Sequence, residues 1–379
     1  MSITTFNYPT PIRFGNGAID ELSDYLHQHR LLRPLIVTDP IVVELPFFEQ
    51  ILDNLIATGI QAAVYNRLHK NPIEADVLGG VNAYHAFDCD SIIGLGGGVA
   101  IDVARAIVLK AHHPLNLFAY EDGIDGWKHV TEKIPHFITI PTTAGTGSEV
   151  GRSTVISDNE THQKKILFSP RLLARQVFAD PQLTLSMPPN VTAATGIDAL
   201  THNLEAFLAK GYHPMADGIA LEAIRLIGKN LAAAVNSPNI ENRTQMLCAS
   251  LMGAVAFQKG LGVVHSLAHP LSTLFDTHHG LANALMLPHG MAFNIAGNEP
   301  KFARITQALE LNTSTGEAVV SYLTQLNTTI GLPAKLSTIG VQEQHIASLA
   351  ALALADVCHA SNPKPVSLSN FEALYRQAL

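Results

Sequence analysis

The sequence predicts an amino-terminal α/β domain with a parallel sheet, followed by a carboxy-terminal domain that contains only helices. Short β-branched runs alternate with helical stretches in the first half, which is typical of parallel strands joined by crossover helices. After Pro181 the pattern changes, and residues 191–379 show helical periodicity with little that resembles a strand. The length of 379 residues is sufficient for two hydrophobic cores. We predict that the two domains comprise residues 1–184 and 185–379.

The strands of the first half are predicted from apolar runs that end in turn residues. They cover residues 34–39, 61–65, 91–95, 136–140 and 176–180, with helices over 42–58, 73–86 and 99–110. Two further strands, 152–157 and 164–168, are predicted to form a hairpin around Asp158-Asn159-Glu160. The predicted helices of the second half are 192–209, 215–235, 241–258, 262–275, 316–330, 343–355 and 369–377.

A glycine triplet, Gly96-Gly97-Gly98, joins the predicted strand 91–95 to a helix. Glycines let the backbone approach a pyrophosphate closely, and the start of the helix offers N–H groups to the anion. A tight turn that needs positive φ explains the triplet equally well. Asp39 ends an earlier strand, where a carboxylate binds ribose hydroxyls and repels a 2′-phosphate, and Asn71 follows the next strand. These positions favour a dinucleotide site, and NAD is the expected cofactor.

The segment PTTAGTGSEV at 141–150 follows the predicted strand 136–140 and is rich in hydroxyl groups. Such a loop suits contacts to phosphate and nicotinamide, and an ordinary surface turn has a similar composition. The hydroxyl-bearing residues are Thr142, Thr143, Thr146, Ser148 and the nearby Ser153.

Five histidines are concentrated in residues 260–289, a segment that is otherwise almost entirely apolar. His265 and His269 are four residues apart and therefore share one face of a helix. The break at 275–277 then allows His279 to fold back toward them. Neutral imidazole is the commonest metal ligand in proteins, and two on one helix face supply half of a site.

Asp198 and His202 are also four residues apart, in the predicted helix 192–209. Each pair alone fits an amphipathic helix that carries polar residues at i and i+4. Both pairs together favour a metal site with one carboxylate and three imidazoles. The predicted ligands are Asp198, His202, His265 and His279.

Composition excludes several classes of partner. The net charge is −8 and no lysine- or arginine-rich run is visible, so a nucleic-acid partner is not expected. The amino terminus lacks a signal-peptide pattern, and no stretch reaches the ~18 apolar residues of a spanning helix. The three cysteines are widely spaced, as in reduced cytosolic proteins. We expect a cytoplasmic protein without a membrane partner, and the 47% hydrophobic content predicts a homo-oligomer, a dimer or larger.

The chain resembles the iron-dependent (group III) alcohol dehydrogenases over essentially its whole length. The resemblance rests on the glycine triplet with Asp102, on PTTAGTGSEV, on TAATGIDALTH at 192–202 and on VVHSLAHPLSTLFDTHHGLANALMLPH at 263–289. It implies the four metal ligands chosen above, a further histidine beside the metal at His269, and a fold shared with 3-dehydroquinate synthase. The implied dinucleotide contacts are Asp39, Asn71, Gly97, Gly98, Thr142, Thr143 and Lys164.

Two positions depart from the family pattern. Val99 stands where the family usually has serine, and Arg105 stands where it usually has lysine. Backbone amides make most contacts to a phosphate, so Val99 stays in the predicted nucleotide site. Asp102, which carries part of the resemblance, is assigned to the same site. We expect the missing serine hydroxyl to weaken nucleotide binding without abolishing it.

The resemblance implies hydride transfer between NAD and a small primary alcohol, such as a diol or a hydroxy acid. The expected metal is Fe(II), although the ligand set also accepts zinc or manganese. His269 is the candidate catalytic residue, which would relay the released proton or orient the substrate, and a core histidine is the other interpretation. A metal- and NAD-containing lyase of the 3-dehydroquinate synthase type is the alternative function, which the apolar site segments disfavour.

The substrate is predicted less closely than the reaction. Segments 257–265 and 358–365 resemble those of family members that act on 4-hydroxybutyrate. Arg152 or Lys259 would then pair with a distal carboxylate of the substrate. Both residues also fit ordinary surface or ion-pair roles.

Overall fold

The computed structural model describes residues 8, 10–159 and 164–379. The described chain packs into two compact units. The α/β unit comprises Pro9–Thr143 and Gly147–Ser186, and the helical unit consists mainly of Met187–Leu379 with the short segment Ala144–Thr146. Both predicted architectures are confirmed. The predicted boundary between residues 184 and 185 stays a prediction, because compactness alone does not show that each part folds independently.

The strands of the α/β unit form one large sheet and one hairpin. The described strands are β1 (Ile12–Phe14), β2 (Pro34–Val37), β3 (Ala63–Tyr65), β4 (Ser91–Gly96), β5 (His136–Pro141), β6 (Ser153–Ser157), β7 (Lys164–Phe168) and β8 (Gln176–Ala179). Six parallel strands are hydrogen-bonded in the order β1-β8-β5-β4-β2-β3, and β6 pairs with β7 in antiparallel fashion. The direction of the connections reverses between β2 and β4, and open parallel sheets bind ligands at the carboxyl ends of strands at such a point.

Apolar side chains cover both faces of this sheet. Leu35 and Val37 lie in one hydrophobic cluster, and Ile36 lies in the other. Ile92 and Ile93 divide between the same two clusters. Successive residues of a strand point to opposite faces, so strands buried on both sides are continuously apolar, as the sequence predicted.

Four helices belong to the α/β unit and nine to the helical unit, among the described residues. Helices α1 (Leu22–His29), α2 (Pro46–Ala57), α3 (Glu74–Ala86) and α4 (Gly98–Lys110) accompany the sheet. The helical unit contains α5 (Pro189–Leu208), α6 (Pro214–Asn236), α7 (Ile240–Ala256), α8 (Val263–Phe275), α9 (His279–Asn294), α10 (Glu299–Ala308), α11 (Gly316–Thr329), α12 (Ile346–Ala355) and α13 (Leu368–Ala378).

Four of these elements were absent from the sequence prediction, namely β1, α1, α9 and α10. Strand β1 has only three residues, which is too short for a periodic signal. Helix α9 contains Pro288, a residue that normally ends a helix. The hairpin of β6 and β7 is confirmed, and Glu160 of its predicted turn lies outside the described residues.

Within the described residues, no single helix has the length and apolar character needed to cross a membrane. The segments Ile240–Lys259 and Val263–Phe275 satisfy these criteria only as a pair that is bent by 109°.

Candidate active site

Helix α5 is buried on all sides. Every residue from Thr192 to Leu208 is buried, including Asp198, His202 and Glu205. These three polar residues follow a spacing of four and then three, so they lie on one face of the helix. Buried polar groups are costly unless they are hydrogen-bonded, paired or bound to a metal, and this face therefore requires partners.

The partners of Asp198 and His202 include two histidines from α8 and α9. Asp198, His202, His265 and His279 offer ligand atoms that all lie within 4.8 Å of one another. The ring centroids of His202 and His265 are 4.6 Å apart, and those of His265 and His279 are 5.4 Å apart. The structure thus brings together all four residues of the predicted metal site.

Two buried ring nitrogens in this cluster have no hydrogen-bond partner among the described residues. They are Nδ1 of His202 and Nε2 of His265. A buried polar atom without a partner costs free energy, and a metal ion would satisfy both atoms. One carboxylate and three imidazoles form a ligand set that suits a divalent transition metal, so the residues present fit the predicted ion.

The protonation states also suit a metal ion. Burial lowers the pKa of His202 to about 3 and lowers the pKa of His265 well below its ordinary value. Burial alone would raise the pKa of Asp198, but the nearby His202 and His279 more than offset it and hold this pKa below its ordinary value. Near neutral pH the cluster therefore contains a carboxylate and neutral imidazoles of His202 and His265, the forms that bind metals.

Glu205 orients His265, a role that the sequence analysis missed. Its carboxylate accepts hydrogen bonds from the amides of Gly262 (2.9 Å) and Val264 (2.6 Å) and from Nδ1 of His265 (2.7 Å). Glu205 thus caps the first turn of α8 and leaves Nε2 of His265 free of a proton. Burial raises the pKa of Glu205 to about 7. Its position three residues after His202 on the same helix face was the available signal.

Two neutral side chains hold the carboxylate of Asp198. Thr146 donates a hydrogen bond from Oγ1 to Oδ2 (3.1 Å), and Asn283 donates from Nδ2 to Oδ1 (2.7 Å). Thr146 belongs to the hydroxyl-rich loop that the sequence analysis associated with a nucleotide. The structure instead places this residue in the helical unit, beside a predicted metal ligand.

His269 lies next to the cluster, and its ring is hydrogen-bonded to a residue outside the cluster. Its ring stacks on His279, with centroids 5.3 Å apart and ring planes 22° apart. Its Nδ1 donates to Oδ2 of Asp356 at 2.7 Å. Asp356 was not identified from the sequence. His269, Asp356 and Cys358 form a second group whose ligand atoms lie within 4.8 Å of one another.

In the α/β unit, Asp39 and the glycine triplet lie at the carboxyl ends of neighbouring strands. Val37 of β2 is in register with Gly94 of β4, which places Asp39 beside Gly96. Gly96 has φ +148°, and a Cβ there would lie 2.7 Å from Cβ of Ala100 and 3.4 Å from Oδ2 of Asp39. Only glycine fits this turn without strain.

The first turn of α4 and the end of β5 meet at the same edge. Helix α4 begins at Gly98, and no described side chain caps its amino terminus, so its first amides can face an anion. The amide of Thr142 donates to the carbonyl of Gly96 (3.0 Å), and a Cβ at Gly97 would lie 3.3 Å from Cγ2 of Thr143. Val99 lies in the first turn of α4.

The other predicted nucleotide residues lie in different surroundings. Asn71 lies between β3 and α3, and Lys164 is the exposed first residue of β7. Asp102 is engaged by the protein itself, since its carboxylate accepts from Ser148 Oγ (2.5 Å), Arg105 Nη1 (3.1 Å) and the amide of Val155 (3.2 Å).

Arg105 is the centre of a buried network that the sequence did not reveal. Its guanidinium donates to Asp102, to the hydroxyl and carbonyl of Ser148, and to the carbonyls of Ser153 and Leu172. A planar guanidinium has five donors in a fixed arrangement, which a lysine ammonium cannot reproduce. Arg105, which stands in place of the usual lysine, therefore fixes the loop around Ser148.

Lys259 and Arg152, the two candidate partners of a substrate carboxylate, have different surroundings. The Lys259 side chain is only 2% exposed, forms an ion pair with Asp217 and donates to the carbonyl of Phe207 (3.0 Å). Arg152 lies over the ring of Phe168, 5.7 Å from its centroid. The ion-pair role left open for Lys259 is the one that these contacts support.

Comparison with known families decides the wider class. The iron-containing alcohol dehydrogenase model matches residues 9–181, and the model of the C-terminal part of the Fe-containing alcohol dehydrogenase family matches residues 192–379. The chain belongs to the iron-containing alcohol dehydrogenase family. The predicted resemblance and the predicted enzyme class, an oxidoreductase acting on alcohols or aldehydes, are confirmed.

Individual relatives match over their full length. A 4-hydroxybutyrate dehydrogenase from Cupriavidus necator is 36% identical, with 98% of this chain and 99% of the relative covered. An NAD-dependent methanol dehydrogenase from Bacillus methanolicus is 33% identical, with both chains fully covered. The crystal structure of a 1,3-propanediol oxidoreductase superposes with a TM-score of 0.94 at 34% identity, covering 99% of this chain and 100% of the other.

Proposed function

We propose that this enzyme transfers hydride between NAD and a small primary alcohol or its aldehyde, with a divalent metal ion at the α5–α8–α9 cluster. The observation that carries the proposal is the convergence of two unpartnered buried ring nitrogens on one carboxylate. The assigned ligands are Asp198, His202, His265 and His279. Fe(II) is the ion we expect from family membership, and the same ligands accept zinc or manganese.

The chain's own residues prepare this centre for an alcohol. A divalent ion held there supplies Lewis acidity, which lowers the pKa of an alcohol hydroxyl. Thr146 and Asn283 fix both oxygens of Asp198, and Glu205 fixes the ring of His265. Rigid ligands keep the geometry of the site from changing during the reaction.

The nucleotide is assigned to the edge of the sheet where β2, β4 and β5 end. Gly97, Gly98 and Val99 would offer backbone amides to the pyrophosphate, and Asp39 would accept from the ribose hydroxyls and repel a 2′-phosphate. We assign the remaining contacts to Asn71, Thr142, Thr143 and Lys164. Asp102 would support this site indirectly, because its carboxylate holds Ser148, Arg105 and the amide of Val155.

The substrate class is inferred from the named relatives, which act on 4-hydroxybutyrate and methanol. Both are small primary alcohols, and one carries a carboxylate. Lys259 is paired within the protein and would not be available to that carboxylate. We infer that the substrate is a small primary alcohol and that Lys259 takes no part in recognising it.

We also infer a cytoplasmic homo-oligomer. All three cysteines are free thiols, which agrees with a reducing compartment. The high hydrophobic content supports association between copies of the chain. Sedimentation of the purified protein would measure the oligomeric state directly.

The direct test is NADH oxidation by protein reconstituted anaerobically with Fe(II). The panel of substrates runs from acetaldehyde and lactaldehyde to succinate semialdehyde. Oxidation with any of these aldehydes is the expected result. Absence of turnover across the panel, with metal and NAD both shown to be bound, would contradict the proposal and favour the lyase alternative.

The variant Asp198→Ala tests the metal site. We expect loss of stoichiometric metal and a fall in kcat/KM of about a thousandfold, because Lewis acidity contributes several kcal/mol. Elemental analysis and NADH oxidation are the two measurements. Glu222→Gln is the matched control, since Glu222 is an exposed carboxylate that pairs with Arg225 in the same unit. Full turnover by metal-free Asp198→Ala protein would contradict the assignment.

A further inference from the structure

Asp356 lies immediately after α12 and gathers three hydrogen-bond donors. Its Oδ2 accepts from Nδ1 of His269 (2.7 Å), and its Oδ1 accepts from Oγ of Ser266 (2.7 Å) and from the amide of Cys358 (2.9 Å). Ser266 in turn accepts from the amide of His359 (2.9 Å). The carboxylate is therefore fixed from two sides.

These contacts also fix the ring of His269. Ser266 and His269 are three residues apart on α8 and lie on one face of it, so Asp356 ties this face to the end of α12. The ring of His269 stacks on His279, and its Nε2 has no hydrogen-bond partner among the described residues. A proton held on Nδ1 by the carboxylate leaves Nε2 as a hydrogen-bond acceptor.

We propose that Asp356 is a positioning residue that holds His269 in the Nδ1–H tautomer, so that Nε2 accepts a hydrogen bond from the substrate hydroxyl. This inference rests on the proposed function and adds a residue to it. The side chain of His269 is 36% exposed, so a small molecule can reach the ring. The arrangement has the logic of an imidazole oriented by a third group, with the carboxylate deciding which nitrogen carries the proton.

The contacts favour a hydrogen-bonded group over a second metal site at His269, Asp356 and Cys358. Each oxygen of Asp356 already faces an N–H or O–H donor, and a cation would have to displace these donors. One metal ion per chain is therefore the expected stoichiometry.

The decisive variant is Asp356→Asn. If the amide oxygen accepts from Cys358, the amide nitrogen faces His269 Nδ1 and forces its proton onto Nε2. If the amide is turned, its nitrogen faces the amide of Cys358, donor against donor. The turned orientation is disfavoured because it sets two N–H donors against each other, so we expect the first orientation, which reverses the tautomer without changing the size of the side chain.

The tautomer can be read directly by ¹⁵N NMR of metal-free protein labelled at histidine, with His269→Gln used to assign the signal. We expect the Nδ1–H tautomer in the unaltered chain and its loss in Asp356→Asn. In the reconstituted enzyme we expect kcat to fall by about tenfold or more, with KM changing by less than about threefold. Asp356→Asn should cause no further loss in a His269→Gln background, and Asp356→Glu should restore part of kcat.

Glu343→Gln is the control, since Glu343 is an exposed carboxylate that pairs with Arg376 in the same unit. An Nε2–H tautomer in the unaltered chain would overturn the proposal, as would an equal loss from Asp356→Asn with and without His269. Two bound metals per chain, falling to one in Asp356→Asn, would overturn it in favour of a second metal site. The NMR measurement needs no turnover, so an Nδ1–H tautomer in an inactive enzyme would support the positioning of His269 and count against the proposed function alone.

Discussion

The helical unit and the α/β unit build their candidate sites from different parts of the chain. In the helical unit the candidate site is made of side chains, since Asp198, His202 and His265 are buried and converge. In the α/β unit the candidate site is made mainly of backbone groups, namely the turn at Gly96 and the first amides of α4. A site made of side chains should fail when one is changed, whereas a site made of amides should tolerate most changes of side chain.

Buried side-chain atoms without a hydrogen-bond partner occur in the described parts of both units, and they differ in whether potential metal ligands converge around them. Nδ1 of His202 and Nε2 of His265 lie in one cluster where a metal ion would satisfy both. In the described part of the α/β unit, Oε1 of Glu149 is buried without a partner, and Glu149 belongs to neither group of candidate metal ligands, both of which lie in the helical unit. Burial instead raises the pKa of Glu149 to about 7. An unpartnered atom thus indicates a site only when others converge on it.

Among residues that are not themselves predicted ligands, the largest effect is expected for Glu205→Gln, which disturbs a ligand without removing one. The carboxylate of Glu205 accepts from three backbone amides and from the ring of His265, and an amide group would set a donor against at least one of them. We expect metal affinity to fall roughly 10- to 100-fold, as for other partners of metal-bound histidines. Competition with a chelator measures this affinity.

The expected loss of metal affinity assumes that Glu205 acts by orienting His265 and not through its negative charge. Glu222→Gln removes the same charge from the surface of the same unit and should leave metal affinity unchanged. Equal metal affinity in Glu205→Gln and the unaltered enzyme would show that the ligand geometry does not depend on this support.

The sequence predicted the four residues that cluster in the helical unit from signals along single segments: the i, i+4 pairs 198/202 and 265/269, and the break at 275–277 that brings His279 back toward them. It did not predict their supports. Glu205 and His265 are 60 residues apart, and Asp356 and His269 are 87 apart, so only the tertiary fold brings them together. Helix α9 was not predicted because Pro288 locally disfavours a helix, and packing within the unit overrides that preference.

In the α/β unit the sequence predicted the strand, glycine turn and helix, since each has a local signature. The buried network of Arg105 was not predictable. Apart from Asp102, its acceptors are more than 40 residues away in the sequence, and three of the five acceptors are carbonyl oxygens, which every residue possesses. The local sequence pattern therefore identifies residues that can bind a ligand. Long-range packing determines which other residues keep those side chains in place.

A smaller effect, on stability rather than function, is expected for Glu149→Gln. The pKa of Glu149 is raised by burial to about 7 in the folded protein, from an ordinary value of 4.5. Well below pH 4.5 the carboxyl group is protonated in both the folded and the unfolded state, so it costs no stability. As the pH rises toward about 7 the unfolded state loses its proton first, and the folded state is destabilised by up to about 3 kcal/mol.

Glutamine does not titrate, so Glu149→Gln should lack this loss. The difference in Tm between the variant and the unaltered protein should grow from pH 5 to pH 8, by a few degrees. Thermal unfolding of both metal-free proteins at pH 5, 6, 7 and 8 measures it, and the raised pKa of Glu205 cancels because both proteins carry it. A difference that is constant with pH would mean that Glu149 is not protonated in the folded state.

The smallest effect is expected for Val99→Ser, which restores the residue that the family usually has. Val99 lies in the first turn of α4, where a serine hydroxyl can add one hydrogen bond to a pyrophosphate already held by amides. One such bond contributes about 0.5–1 kcal/mol, so the Kd for NAD should fall only two- to fivefold, with kcat unchanged. Val99→Ala separates loss of the valine methyls from gain of the hydroxyl. If Val99→Ser tightened NAD binding a hundredfold while Val99→Ala did not, side chains would dominate the nucleotide site as they dominate the metal site, and the contrast between the two units would fail.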